Sequence, residues 1–389
     1  MEQCIDGEAE RTGLGEDWRI IESMLPPRWM EMARETGAFR RARGIGDARV
    51  LLQVMLIHLA EGCGLRETAA RAAQGGIAEV SDVALLKRLR SCGPWFEWLA
   101  QTLCAAPELR DTSAGDRSLL GDRRLRVVDG SIVREPGVTG SQWRLHYAIG
   151  LPGLQCQEVH LGPSDEGETL KRFEVDAGDV FVADRGYANP AGIAHVRARS
   201  GDVIVRMNLV TLPLYEPDGE RPWDILEHVR ALQVGQAADW PVSLRIKSGR
   251  GSGGRVQVIC GRLCAVRKSE EAAAQARKRV RKESRRGGSQ VQPQTLEAAG
   301  YVLVFTTLGA DISAEKVLQL YRLRWQIELE FKRLKQLIQL GHLKKYDPRA
   351  ARSWLQGKLL VSLLVARIIA HAERVSPWGY DFAGIAKAS

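Results

Sequence analysis

Apolar positions along this chain recur first with helical spacing, then with the spacing of strands, then with helical spacing again. After a polar opening over residues 1–24, Pro26-Pro27 leads into a helical segment. Ala48 to Leu59 reads as a strongly apolar helix stopping at the Gly62-Cys63-Gly64 turn. Leu65 to Ala73 is a short helix before Gly75-Gly76. Ser81 and Asp82 are N-cap residues for a third helix carrying Lys87, Arg88 and Arg90, and Gly93-Pro94 breaks the chain before another helix through Trp95, Trp98 and Leu103. Residues 106–122 are polar and rich in turn formers. Strand patterns follow at Arg124 to Val133, Gln142 to Gly150, Leu154 to Leu161, Asp179 to Asp184 and Val203 to Arg206. Short helices are predicted over Glu166 to Phe173 and from Pro190 to Arg199. Three antiparallel strands, then helix–strand–helix–strand, predict a mixed α/β sheet.

From residue 210 to 299 prolines punctuate short strands such as Val242 to Ile246 and Arg255 to Cys264, with a GRGSGG turn between them, so a small β-rich insertion is expected. Val266 to Gly288 then carries nine Lys and Arg, including RKRVRKESRR. A solvated helix accounts for most charge runs, but this density suits a phosphate-facing surface. Tyr301 to Thr306 restores a strand, and Ser313 caps the helix after it. Within that helical region, Tyr321 to Lys335 reads YRLRWQIELEFKRLK, uninterrupted by Gly or Pro. On an ideal helix Leu323, Ile327, Phe331 and Leu334, with Leu320 and Ile338, share a stripe from roughly 200° to 280°. Tyr321, Arg324, Glu328 and Lys335 fall from roughly 300° to 360° beside it, and Glu330 near 180° on the far flank. Pattern alone also allows a solvated face with an Arg324–Glu328 pair. A last helix runs over Ala350 to Ala372, and no internal repeat is visible.

Composition is that of an ordinary globular protein, 44% hydrophobic and 26% charged over 389 residues, and so bounds little by itself. The formal net charge of +9 adds a preference for a polyanionic partner. The short helices with Gly turns and a basic cluster near the N-terminus fit a helix-turn-helix-like DNA-binding unit or a plain helical bundle. Seven cysteines, odd in number and mostly in apolar surroundings, suit reduced thiols in a cytoplasmic protein. Cys260 and Cys264 lack a second ligand pair nearby, which argues against zinc. The opening MEQCIDGEAE is unlike a signal peptide. The run Leu359 to Ala370 is interrupted by Ser362 and Arg367 and is expected to be a core helix, too short to span a bilayer.

Three acids stand out. Asp129 lies on the first strand, Asp184 ends the fourth, and Glu328 lies on the late helix. A carboxylate at the end of an apolar strand is costly unless paired or bound to metal. Asp129 or Asp184 alone could be a turn residue, but three together would repel one another. Two hard divalent cations relieve that repulsion, and such a pair drives phosphodiester displacement.

At these residues the sequence resembles the bacterial insertion-sequence DDE transposases of the cut-and-paste type, with their Tyr-x2-Arg-x3-Glu-x6-Lys signature. It is present as Tyr321, Arg324, Glu328 and Lys335. Asp129-Gly130, the WRLHY strand and Asp184-Arg185-Gly186-Tyr187 also match, as do LRETAARA and SDVALLKRL more softly. The resemblance implies a ribonuclease-H-like α/β core with mixed sheet, a β-rich insertion and an N-terminal all-helical DNA-binding region. It implies Asp129, Asp184 and Glu328 as catalytic ligands of two Mg²⁺ ions, with Mn²⁺ able to substitute. Water would free a 3′-hydroxyl, which makes a hairpin on the opposite strand before insertion. Tyr321, Arg324 and Lys335 match residues that grip a terminal phosphate, while Trp223 and Trp240, in the insertion, fall in no alignable motif. The implied partners are double-stranded DNA at terminal inverted repeats, target DNA and a second copy of the chain, with no membrane and no small-molecule substrate. The implied location is the bacterial cytoplasm, on the nucleoid when DNA is bound.

The expected organisation is a helical DNA-binding region over 1–118, the core over 119–210 and 300–375, the insertion with its basic helix over 211–299, and a tail over 376–389. The family's further C-terminal helical region, which pairs two transposases, has no counterpart in the short stretch after Ala372. A truncated or non-catalytic transposase that occupies DNA ends and inhibits transposition is therefore the alternative reading. A metal-dependent nuclease would use the same three acids, but has no need of a phosphate clamp.

Overall fold

The computed structural model describes residues 18–105, 120–134, 142–248, 255–288, 290–340, 343 and 347–375. Most of the expected polar opening and of the 106–122 stretch, the GRGSGG turn and the tail lie outside the described residues. Residues 18–23, expected within the loose opening, are helical, and Trp18 is buried.

Four helices come first: α1 (Trp29–Glu35), α2 (Ala48–Ala60), α3 (Leu65–Gln74) and α4 (Asp82–Ala105). Asp47 caps α2 by accepting from the Val50 N–H at 2.8 Å. The break expected at Gly93-Pro94 does not occur, because α4 runs through Pro94. The last helix among the described residues, α11 (Pro348–Val375), packs against α4 and explains this. At Gly93 an added Cβ would sit 2.9 Å from Ser353 Oγ, and at Gly357 one would sit 2.5 Å from Leu59 Cδ1. Two missing side chains let helices cross closely, and that packing offsets the hydrogen bond Pro94 removes. By length and composition α11 could cross a membrane, unlike the shorter run expected from the sequence; half of its apolar window is buried against this fold.

One eight-stranded sheet carries the rest, with β1 (Arg124–Arg134), β2 (Gln142–Leu151), β3 (Gln155–Pro163), β4 (Asp179–Ala183), β5 (Asp202–Arg206), β6 (Ala237–Ser248), β7 (Arg255–Arg267) and β8 (Tyr301–Thr306). Their order is β3-β2-β1-β4-β5-β8-β7-β6. β1, β2 and β3 are antiparallel neighbours, while β4 and β5 run parallel to β1. This is the mixed sheet of a ribonuclease-H-like core. The helix expected over Glu166 to Phe173 is only a 3₁₀ turn at Leu170–Arg172. α5 (Pro190–Arg197) crosses from β4 to β5.

The strands expected as a β-rich insertion, β6 and β7, extend the same sheet. β7 pairs with β8 and β6 with β7, so hydrogen bonding continues without an edge between them. β6 tolerates Pro241 because it is the edge strand. A short helix, α6 (Ile225–Val229), precedes it. The basic run forms α7 (Glu270–Arg286), of which only Ala273 is buried, and α8 (Pro293–Ala298) leads into β8.

The stretch expected as one helix through Tyr321 is two, α9 (Ala314–Arg322) and α10 (Trp325–Gln336). Hydrogen bonds from Arg324 to Tyr321, Gln326 to Leu323 and Ile327 to Arg324 span three residues, so a tight 3₁₀ joint links them. Leu320, Ile327, Phe331 and Leu334 are buried, whereas Leu323 and Ile338 are only partly so. The Phe331 ring meets Tyr147 of β2 at 6.1 Å, which docks α10 over β1 and β2.

Candidate active site

Alternation along β1 and β4 decides where the aspartates point. Val127, Val180 and Val182 belong to the core beneath α9 and α10, and Val128, Phe181 and Ala183 to the core on the opposite face. Asp129 and Asp184 therefore both project toward α9 and α10. Val128 pairs with Ala183, so the two aspartates occupy the next positions on adjacent parallel strands.

The helix joint brings cationic and phenolic groups onto them. Arg324 Nη1 lies 3.6 Å from Asp129 Oδ2, and Arg324 Nη2 donates to Glu328 Oε1 at 2.6 Å. Tyr321 Oη donates to Asp184 Oδ1 at 3.3 Å, and Arg206 Nη1 approaches the same oxygen at 4.0 Å. Burial pushes the Asp129 carboxyl up to about 6; the Gly130 N–H and Arg324 oppose the rise, and Glu168 and Asp184 add to it. Burial, with Asp184 beside it, lifts the Tyr321 phenol to about 12, so it remains a donor at neutral pH.

Of the six residues singled out from the sequence, five fall in two contact groups, Asp129 with Arg324 and Glu328, and Asp184 with Tyr321, joined where the Arg324 N–H donates to the Tyr321 carbonyl at 3.0 Å. Lys335 is not among them. It stands about two turns beyond Glu328 along α10, with no ion pair among the described residues. The two glutamates are unequal in exposure. Glu328 is 55% exposed and Glu330 only 19%, so the glutamate placed on the far flank is the more buried. α10 leans on β2, and Glu330 points toward Tyr147 there while pairing with Arg333 at 3.6 Å.

The donor set suits Mg²⁺ or Mn²⁺, since it is carboxylate oxygen throughout. As they stand, no three His, Cys, Asp or Glu side chains among the described residues converge closely enough to hold a metal ion. Arg324 sits between Asp129 and Glu328 and supplies the compensating positive charge there. Cys260 is exposed and Cys264 buried on β7, so they share no site.

Cations continue outward from Asp184. Arg185 and Arg206 line a cavity of about 150 Å³ together with Tyr301 and Leu303. Lys268 lies nearby, its amine pushed down to about 8 by burial and by Arg206, Arg185, Arg279 and Arg277. Beyond it, Lys278, Arg281, Lys282, Arg285 and Arg286 line the exposed face of α7. Trp223 is spent elsewhere, stacked on His228 at 4.1 Å and tilted against Trp240 at 6.0 Å.

Sequence reasoning missed Glu168, Arg144 and Arg206. Arg206 sits at a strand end on the same edge as Asp184, a signal that could have found it. Glu168 lies in an irregular segment outside every motif, so nothing local marked it.

A mixed sheet that sets two acids side by side on adjacent parallel strands, beneath a helix pair bearing a third, defines a phosphoryl-transfer nuclease or recombinase architecture. Residues 121–364 match the family described as transposase DDE domain. Over 360 residues the chain is 38% identical to the "Transposase for insertion sequence element IS421" of Escherichia coli, covering 91% of this chain and 94% of that protein. It is likewise 38% identical over 359 residues, with the same coverage, to the "Putative transposase InsL for insertion sequence element IS186A" of Escherichia coli strain K12. The chain belongs to the DDE transposase family of insertion sequences.

Proposed function

We propose that this chain cuts DNA at the ends of an insertion sequence and joins them to target DNA, with Asp129, Asp184 and Glu328 as its catalytic carboxylates. The observation that carries the reading is the placement of Asp129 and Asp184 side by side under Arg324 and Tyr321. Asp129, Asp184 and Glu328 would hold two divalent ions, Mg²⁺ or Mn²⁺. When bound, such ions activate the attacking water or hydroxyl and stabilise the leaving oxygen.

The chain's own groups do the rest. Arg324 holds Asp129 and Glu328 before substrate arrives, and its five donors suit a DNA phosphate once those acids turn to other partners. Tyr321 orients Asp184 and offers a neutral donor beside it. Arg185, Arg206 and Lys268 extend the positive surface from Asp184 toward α7, along which the backbone would run. Lys335 would reach a phosphate farther along the same strand. The N-terminal helices would contact the terminal inverted repeat, and two copies would act together on paired ends. Joining would pass through a hairpin at the element end.

The test uses a labelled duplex carrying the inverted repeat from the flanking DNA. Asp129→Ala, Asp184→Ala and Glu328→Ala each abolish Mg²⁺-dependent nicking while leaving DNA binding intact; nicking retained by any of them removes that residue from the set. Arg324→Ala impairs hairpin formation more than first-strand nicking, and equal loss in both steps refutes the phosphate grip.

A further inference from the structure

Glu168 stands just before the 3₁₀ turn Leu170–Arg172, and its carboxylate fills the gap between Gly130 on β1 and Gly186 in the turn that follows Asp184. A Cβ added to Gly130, next to Asp129, would lie 2.8 Å from Glu168 Oε1. A Cβ added to Gly186, two residues after Asp184, would lie 1.5 Å from Glu168 Oε2. At Gly186 the three nearest atoms to such a Cβ all belong to Glu168, the Cβ of that glutamate being a comfortable 3.4 Å away. Both glycines therefore leave room for one carboxylate, which would have to swing aside if either carried a Cβ. Neither has a positive φ, so close approach, not backbone conformation, is their reason.

The same carboxylate holds a cation. Arg144 Nη1 donates to Glu168 Oε1 at 3.3 Å, and both side chains are largely buried. Arg144 sits on β2 opposite Ile132, close to Gly130. Glu168 acts electrostatically on Asp129, and Asp184 on Glu168. Without Glu168, the Arg144 guanidinium would lose its carboxylate partner.

We propose that Glu168 is a positioning residue for strand cleavage, wedged between Gly130 and Gly186 to set the separation of the two aspartate-bearing segments and to hold Arg144 in place. This rests on Asp129 and Asp184 being the catalytic pair. Glu168 needs no contact with DNA in this role; it works through Gly130, Gly186 and Arg144.

The experiment compares wild type with Glu168→Ala, Gly186→Ala, the double variant and Glu168→Gln. Thermal midpoints are read in metal-free buffer, duplex binding by gel shift, and nicking across a Mg²⁺ titration. Glu168→Ala lowers nicking at least about tenfold with duplex affinity kept, the scale typical of groups supporting a metal site. Gly186→Ala lowers both the thermal midpoint and nicking in the wild-type background. In the Glu168→Ala background the same change costs neither, because the added Cβ enters vacated space. Glu168→Gln keeps the bulk and frees Arg144, so it folds as wild type and needs several times more Mg²⁺ for half-maximal nicking.

Additive costs of Gly186→Ala and Glu168→Ala overturn the wedge, and an unshifted Mg²⁺ requirement in Glu168→Gln overturns the hold on Arg144. Nicking by Glu168→Ala equal to wild type, beside a dead Asp184→Ala, sinks the positioning role and leaves the active site standing. Nicking by Asp184→Ala removes the catalytic pair, and this inference with it.

Discussion

Asp129 is the residue whose environment most constrains the chemistry. Its carboxyl is pushed up to about 6 from an ordinary value of 3.8, chiefly by burial. A raised acid binds its proton more tightly when folded, so the folded state loses stability relative to the unfolded one as pH rises from about 4 to about 6, by on the order of 3 kcal/mol. Asp129→Asn removes that dependence. In metal-free protein the thermal midpoint of wild type should fall relative to Asp129→Asn across this window and run parallel to it above; parallel curves throughout would show that Asp129 is not desolvated. The two glutamates of α10 give a second residue-scale test. Glu328→Ala should abolish nicking. Glu330→Ala should keep nicking within about tenfold of wild type while lowering the thermal midpoint, since Glu330 is buried against β2 and pairs with Arg333. Equal loss of nicking from both substitutions would reverse the assignment.

At the scale of elements, the helix pair α9–α10 matters more than either helix. The 3₁₀ joint between them places Tyr321 at the end of one helix and Arg324 at the start of the next, so both reach the aspartates. Helical periodicity identified the apolar stripe and the polar edge beside it. It did not reveal the joint, because Leu323 and Arg324 keep right-handed helical angles and no Gly or Pro marks the site. α4 errs in the other direction, since Gly93-Pro94 looks like a stop and lies inside a helix. What keeps α4 whole is α11, a partner from the far end of the chain. The closeness of that layer is measurable at Gly357, where a side chain would strike Leu59. Gly357→Val should cost about 1–3 kcal/mol, seen as a lowered thermal midpoint. An unchanged midpoint would mean that the helices can move apart freely.

Across the whole molecule, positive charge is arranged rather than scattered. It starts at Arg206 and Arg185 beside Asp184, passes Lys268 and spreads along α7, whose exposed face carries five cations around one shallow groove. A helix with a single buried residue gains little from packing, so its sequence answers to what it faces. Replacing Lys278, Arg281, Lys282 and Arg285 with Ala should weaken duplex binding and reduce the salt slope by about 0.9 for each phosphate no longer neutralised, with little change in thermal midpoint. Binding measured from low to moderate salt checks this, and an unchanged slope would leave α7 as a solvated arm.

Local chemistry determined much of this protein from sequence alone. Alternation named the strands of a mixed sheet, helical spacing named the buried stripe through Ile327, Phe331 and Leu334, and acids carried by apolar strands drew attention to Asp129 and Asp184, because such positions are costly without a partner. Three things required tertiary structure. β6 and β7 join the main sheet, since pairing partners far apart in sequence leave no local mark. Arg324 bridges Asp129 and Glu328, since the helix joint that turns it toward β1 leaves no local mark. Glu168 enters the site because the glycines beside both aspartates leave room for one carboxylate, and that space exists only where three distant segments meet.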